Sequence, residues 1–164
     1  MAIDIKAMTA EHWDSVREIY AQGIATGNAT FEETAPGWQD WDARHLPCCR
    51  LVAIVNGAIA GWAALSSTSS RHVYRGVAEV SVYVAEQARG QGVGLQLLDA
   101  LAEASEANGI WTLQAVIHAQ NLISIRLHQK AGFRIVGTRE RIGCLHGRWR
   151  DTVLMERRSK VVGV

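Results

Sequence analysis

From Ile3 to Met8 apolar and polar residues alternate, and that two-residue period predicts a strand. The period then lengthens. Trp13, Val16, Ile19 and Tyr20 recur three and four apart, which predicts a helix with Thr9 as its cap and with Gly23 and Gly27 breaking it. A loop through Asn28, Ala29, Thr30, Phe31, Glu32 and Glu33 leads to a segment holding Trp38 and Trp41. Leu51–Val55 and Ala58–Leu65 flank Asn56-Gly57, a pair that tolerates positive φ and so predicts a hairpin. In Val77–Val84 the valines 80, 82 and 84 take one face, and Glu79, Ser81 and Tyr83 take the other. A glycine-rich turn follows, then a helix expected to bury Leu95, Leu98, Leu101, Ala102 and Ser105. Leu113–Ile117 reads as a buried strand, and Asn121 as the cap of a last helix that stops at Ala131-Gly132-Phe133. Two more strands surround Gly143–Arg148. The order is β-α, a hairpin, then β-α-β-α-β-β, which is an α/β architecture of one central sheet with helices on its faces.

Composition narrows the field of functions. At 164 residues the chain fits a single domain, residues 1–164, large enough for a proper core. Its formal net charge is +1, and acids interrupt its one basic cluster, Arg148–Arg158. Neither nucleic acid nor an anionic membrane is an expected partner for such a charge distribution. No stretch approaches the roughly 18 apolar residues of a membrane-spanning helix. The N-terminus opens as a strand instead of a basic region and an apolar run, so no leader is expected. Cys48, Cys49 and Cys144 show no CxxC spacing, and the six histidines show no H-E-x-x-H pattern. The expectation is a cytoplasmic protein with buried, inert thiols and no metal.

The turn Arg89-Gly90-Gln91-Gly92-Val93-Gly94 lies between a strand and a helix. Glycine permits a sharp turn and close approach to a ligand, while the free amides of a helix N-terminus attract an anion. Arg89 adds charge, and together these residues suggest a pyrophosphate seat. A Rossmann site wants G-x-G-x-x-G near the first strand and an acid about 20 residues on, and a P-loop wants Gly-Lys-Ser/Thr. The chain has neither. A purely structural glycine turn stays open at this point.

Set in order, the strand Val77–Val84, Arg89-x-x-Gly92-x-Gly94, Asn121-x-x-Ser124 and Gly132-Phe133 resemble the GNAT superfamily of N-acetyltransferases. Ala29-Thr-Phe-Glu32, Val77-x-Glu79-x-Ser-Val-Tyr-Val84, Ser124-x-x-Leu-His128 and His146-Gly-x-Trp149-x-Asp151 are similar to its phosphinothricin and methionine sulfoximine acetyltransferase branch. The resemblance implies a GNAT-type fold, a central mixed twisted sheet with helices on both faces. It implies acetyl-CoA as co-substrate, with its pyrophosphate on Arg89, Gly90, Gln91, Gly92, Val93 and Gly94. The pantetheine arm would lie along the main chain of Val82, Tyr83 and Val84, near Asn121. Asn121 has the alternative role of helix cap. The branch pairs its subunits, so a homodimer is implied, with His146–Glu156 offering a strand that carries Trp149 and Val153 on one face.

Acetyl transfer to a primary amine needs a base for the ammonium, a donor for the oxyanion and an acid for the departing thiolate. Glu79 is the candidate base, the backbone N–H of Val84 the oxyanion donor, and His128 the candidate acid. A salt-bridged Glu79 and a packed, neutral His128 are the competing structural readings. No covalent acyl-enzyme is implied. The resemblance implies a small amino-acid-like acceptor lined by Phe31, Glu32, Arg71, Tyr74, His146 and Trp149. Arg71 or Arg75 would hold its carboxylate, and Trp149 could equally be core. A non-catalytic coenzyme A sensor and an acetyltransferase for another amine class are the alternative functions.

Overall fold

The computed structural model describes residues 1–164, and its strands form one seven-stranded sheet. They are β1 (Ile3–Ala7), β2 (Leu51–Val55), β3 (Ala58–Ser67), β4 (Val77–Val84), β5 (Thr112–His118), β6 (Arg134–Leu145) and β7 (Arg148–Arg158). Their spatial order is β1-β2-β3-β4-β5-β7-β6. Only β4 and β5 run parallel, joined by the crossover that a parallel pair requires. The helices are α1 (Trp13–Ala25), α2 (Trp38–Arg44), α3 (Val93–Ala107) and α4 (Leu122–Lys130). The fold is the mixed α/β sheet with helices on both faces that the pattern implied.

Strand alternation sorts the two faces. Tyr20 of α1 packs on Trp62 of β3 and Tyr83 of β4, with ring centroids 5.5 and 4.8 Å apart. Trp41 of α2 joins Trp62 and Trp13, at 5.6 and 5.7 Å. On the opposite face Val93 and Leu97 of α3 press on Gly61, and Gly94 lies against Val84 and Leu127 of α4. Glu79, Ser81 and Tyr83 therefore face α1, while Val80, Val82 and Val84 face α3 and α4.

Three local expectations are corrected, and one segment gains an element of its own. Gly23 does not break α1, which runs on to Ala25. A Cβ at Gly23 would stand 2.6 Å from the Tyr83 ring, so the glycine is there to let helix and sheet close. Gly27, at φ +66°, ends the helical stretch instead. The segment around Trp38 and Trp41 is a helix in its own right. In α3 Leu97 is fully buried whereas Leu95 is half-buried, a shift of the apolar stripe toward Gly61. Finally, His146 and Gly147 both have positive φ, +51° and +75°, and make the two-residue turn between β6 and β7.

Candidate active site

The site begins where a pairing ends. β4 and β5 are paired only from Val77–Glu79 against Thr112–Gln114, and beyond Glu79 the strands part. The Ala85 N–H donates to the Ala60 carbonyl on the β3 side. Because strand amides alternate in direction, Tyr83 and Ser81 also turn toward β3, and the amides of Val82 and Val84 turn to the opened side. That leaves an extended edge able to bind a linear, amide-containing ligand as a further strand would.

The glycine turn stands next to this edge. Gly90 and Gly92 have φ of +74° and +86°, and a Cβ built on either meets no atom within 4 Å. The first helical bond of α3 runs from the Gln96 N–H to the Gly92 carbonyl. The amides of Val93, Gly94 and Leu95 precede it and belong to the unpaired first turn, where the helix dipole favours an anion. Arg89 and Gln91 are exposed beside them. Open space, first-turn amides and a free guanidinium fit a pyrophosphate, and Val82, Tyr83 and Val84 fit the arm leading from it.

A cavity of about 260 Å³ fills the opening between β4 and β5. Phe31, Glu32, Glu79, Val82, Tyr83, Asn121 and His128, all expected from sequence, line it together. The Glu79 carboxylate accepts one hydrogen bond, from Gln114 Nε2 at 3.0 Å, and makes no salt bridge. Asn121 caps α4 by accepting from the Ser124 N–H at 3.2 Å, a bond of about 1 kcal/mol. Its Nδ2 also donates to the Asn28 carbonyl, so the cap ties α4 to the loop before α2. His128 is 3% exposed, and its Nδ1 lies 2.7 Å from the Ser124 carbonyl. A carbonyl can only accept, so Nδ1 carries the proton and Nε2 carries the lone pair. Burial holds the ring below its ordinary value, with the Ser124 hydrogen bond opposing. This His128 is a neutral imidazole that accepts at Nε2. Two phenols complete the wall. Burial raises Tyr83 and Tyr20, so both stay protonated.

Other expected residues lie outside this cavity. Arg71 and Tyr74 sit on the turn between β3 and β4, where the Arg71 guanidinium stacks on the Tyr74 ring at 5.5 Å. Arg75 is engaged with Trp111 at 5.3 Å and with the His72 carbonyl, leaving Arg71 the freer of the two. His146 is a turn residue whose Nδ1 lies 3.8 Å from Glu33. Trp149 is 58% exposed beneath Arg141, so it is not core. The thiols also divide. Cys49 is buried, and burial beside Cys48 pushes it up to about 12, whereas Cys144 is exposed, against expectation. No group of three or more His, Cys, Asp or Glu side chains converges as metal ligands would, and no helix is long and apolar enough to cross a membrane.

Sequence reasoning passed over three residues here. Arg150 is 9% exposed and donates to the Gly27 carbonyl and Asn28 Oδ1, pinning the loop that carries Phe31. His118 and Thr152 line the cavity floor, where the Phe31 ring stands edge-on to His118 at 4.6 Å. The available signal was a polar residue on the Glu79 face of β5 and β7, at positions 118, 150 and 152.

The model of the acetyltransferase (GNAT) family matches residues 12–133. An L-methionine sulfoximine/L-methionine sulfone acetyltransferase of Pseudomonas aeruginosa is 31% identical over 95% of this chain and 94% of its own. The crystal structure of a phosphinothricin acetyltransferase from Sinorhizobium meliloti in complex with AcCoA superposes with a TM-score of 0.89 and 32% identity. It covers 99% of this chain and 91% of that one. A ribosomal-protein-alanine N-acetyltransferase from Brucella melitensis gives 0.85 and 30%, covering 95% and 99%. With the opened β4 edge, the glycine turn and these likenesses together, the chain belongs to the GNAT family of acetyltransferases.

Proposed function

We propose that this chain, as one acetyltransferase domain, moves the acetyl group of acetyl-CoA onto the primary amine of a small amino-acid-like acceptor. The acceptor is of the phosphinothricin, methionine sulfoximine or methionine sulfone type, and it attacks directly in a ternary complex. The observation that carries this reading is the Glu79 carboxylate opening into the same 260 Å³ cavity as the parted edge of β4. Acetyl-CoA brings an acyl group activated as a thioester. Arg89 to Gly94, with the amides of Val82 and Val84, hold the co-substrate, and Asn121 braces the opposite wall. Glu79 takes the acceptor's proton, directly or through an ordered water, while Gln114 steadies one of its oxygens. The Val84 N–H is assigned to the developing oxyanion. His128 differs from the acid expected of it: to protonate a thiolate it first has to gain a proton at Nε2 during turnover. It therefore acts as a relay: Nε2 takes the second proton, the one the attacking nitrogen sheds from the tetrahedral intermediate, and passes it to the coenzyme sulfur as the C–S bond breaks.

The likeness to a ribosomal-protein-alanine enzyme raises a peptide N-terminus as a second acceptor. A cleft of only about 260 Å³, narrowed by the Phe31 ring standing edge-on to His118, suits a free amino acid better. Thiol release measured over methionine sulfone, methionine sulfoximine, phosphinothricin, an alanine-initiated peptide and an aminoglycoside tests the proposal. Turnover confined to the amino-acid analogues is expected, and turnover with the peptide alone overturns the acceptor class. An enzyme that binds acetyl-CoA and releases no thiol with any amine would instead be the sensor. We further assign the protein to the cytoplasm as a homodimer, through a face that includes Trp149. A monomer in sedimentation at working concentration would dispose of the dimer.

A further inference from the structure

His118 and Thr152 are direct partners across the β5–β7 pair, and both line the cavity. They are 3% and 1% exposed. Neither ring nitrogen of His118 nor the Thr152 hydroxyl makes a hydrogen bond of full geometry within the protein; the Thr30 backbone comes near enough to the ring to favour its proton without closing such a bond. An unpaired buried polar atom is destabilising, and native chains keep few of them. Three such atoms on two facing side chains make a place that something outside the chain completes.

The surroundings indicate what that is. Arg150, two residues before Thr152 on the same face of β7, brings a buried positive charge with no carboxylate on it. Glu32, the acid of the covering loop that lines the cavity, is paired with Arg44 at 3.5 Å. Burial holds His118 below its ordinary value; the Thr30 backbone opposes this and Arg150 adds to it. A neutral imidazole offers one N–H, and a threonine hydroxyl offers one O–H that rotates to suit. Two donors with the Arg150 charge beside them match a group with two or more accepting oxygens. Gln114, which holds Glu79, and His118 are four residues apart on β5, ~13 Å along the strand, so the pair sits at the far end of the cavity from the carboxylate. The Glu79 and His118 side chains both enter the cavity and shorten that span, so an acceptor with its amine toward Glu79 has room to extend its side chain toward His118.

We infer that His118 and Thr152 form the subsite for the acceptor's side-chain terminus, hydrogen-bonding a tetrahedral centre that carries oxygens and discriminating against an apolar one. The inference rests on the acetyltransferase reading and assigns selectivity within it to two side chains.

The test compares methionine sulfone with methionine, which differ only in the two oxygens. In His118→Phe and in Thr152→Val the ratio of kcat/KM for sulfone over methionine is expected to fall roughly tenfold or more, because a site built for polar partners rejects what lacks them. Thr152→Ser, which restores a hydroxyl, is expected to recover most of that ratio. An unchanged ratio in all three variants overturns the subsite. A readout free of turnover comes from ¹⁵N-labelled histidine spectra of the unaltered protein, with the His118 signals identified by their loss in His118→Phe. Titration with methionine sulfone is expected to move them. Movement without any acetyl transfer keeps the subsite and sinks the proposed reaction. Normal turnover of the sulfone with His118 signals unmoved sinks the subsite and leaves the reaction standing.

Discussion

The two halves of the cavity are built by different means. The coenzyme half is made of backbone: the opened amides of β4, two glycines at positive φ and the first turn of α3. All of it comes from the continuous stretch 77–107. The acceptor half is made of side chains from distant stretches, Phe31, Glu79, His118, His128 and Thr152. It holds its shape through long-range ties, such as Asn121 to Asn28 and Arg150 to Gly27. A backbone-built seat depends on few side chains and recognises a common group. A seat made of side chains can be retuned one residue at a time, which is how one fold serves many acceptors.

The largest expected effect separates the halves through chemistry. An amine attacks only when neutral, and the acceptor's amine is mostly protonated near pH 7. Glu79→Gln keeps the size and removes the base, so kcat is expected to fall about 10²–10⁴-fold while acetyl-CoA affinity holds. Rates from pH 6 to 10 with methionine sulfoximine check this, and the deficit is expected to narrow as solution supplies neutral amine. A deficit as large at pH 10 would make Glu79 a binding residue, and near-normal rates at pH 7 would remove it from the mechanism.

Gly92→Asp attacks the other half. Gly92 is the N-cap of α3 at φ +86°, and aspartate both caps helices and tolerates that conformation better than most residues. The fold is therefore expected to survive while a negative charge enters the anion seat. Calorimetry is expected to show acetyl-CoA affinity lowered on the order of 10–100-fold, about 1.4 kcal/mol per factor of ten. Gly92→Ala, with backbone strain and no charge, is expected to lose far less. Equal losses in the two variants would mean that strain, not charge, matters there.

The same division decided what could be read in advance. Local periods located all seven strands and three of the helices, and the turn at 89–94 was legible because its chemistry lies in adjacent residues. Glu79 was singled out only through the resemblance of its strand to the acetyltransferase pattern, since an isolated glutamate on a strand reads as readily as a solvated or salt-bridged one. The partnership of His118 with Thr152 was not legible, since it depends on how β7 registers against β5 across 34 residues. Gly23 read as a helix breaker because its reason for being glycine, the Tyr83 ring, lies 60 residues away in the chain. Arg71, Tyr74 and Trp149 carried the right chemistry, but the turn between β3 and β4 and the exposed side of β7 set them apart from the cavity.

A smaller effect tests the ties of the acceptor half. Arg150→Met keeps the apolar stem and removes the donors to Gly27 and Asn28. A stability loss of about 1–3 kcal/mol is expected, or roughly 2–4 °C in Tm per kcal/mol. The acceptor's KM is expected to rise as the Phe31 loop loosens, with coenzyme affinity unchanged. A fall in coenzyme affinity of the same size would show that the halves are mechanically coupled.

The gentlest probe is acid, and its sign follows from the histidines. Burial is the main cause that depresses His45, His118 and His128 in the folded chain below the ordinary 6.5. Arg50 and Arg44 add to the fall at His45 and Arg150 at His118, while backbone groups of Trp41, Thr30 and Ser124 oppose it. Below pH 6.5 the unfolded chain then binds more protons than the folded one, so stability falls as pH drops from 6.5 toward the depressed folded values. Each histidine contributes at most about 1.4 kcal/mol per pH unit. Two of the three line the acceptor half, and no histidine occurs anywhere in 77–107. Hydrogen exchange at pH 7 and pH 5 is therefore expected to show protection lost first at the end of β5 and in α4, with α3 following only on global unfolding. Uniform loss across both halves would mean that they unfold as one unit, and the contrast between them would then be one of construction alone. His118→Gln and His128→Gln are each expected to flatten the pH dependence in proportion to the protons removed, because neither replacement titrates. If both variants keep the full slope, the acid sensitivity comes from His45 or from carboxylates instead, and the acceptor half is no weaker to acid than the coenzyme half.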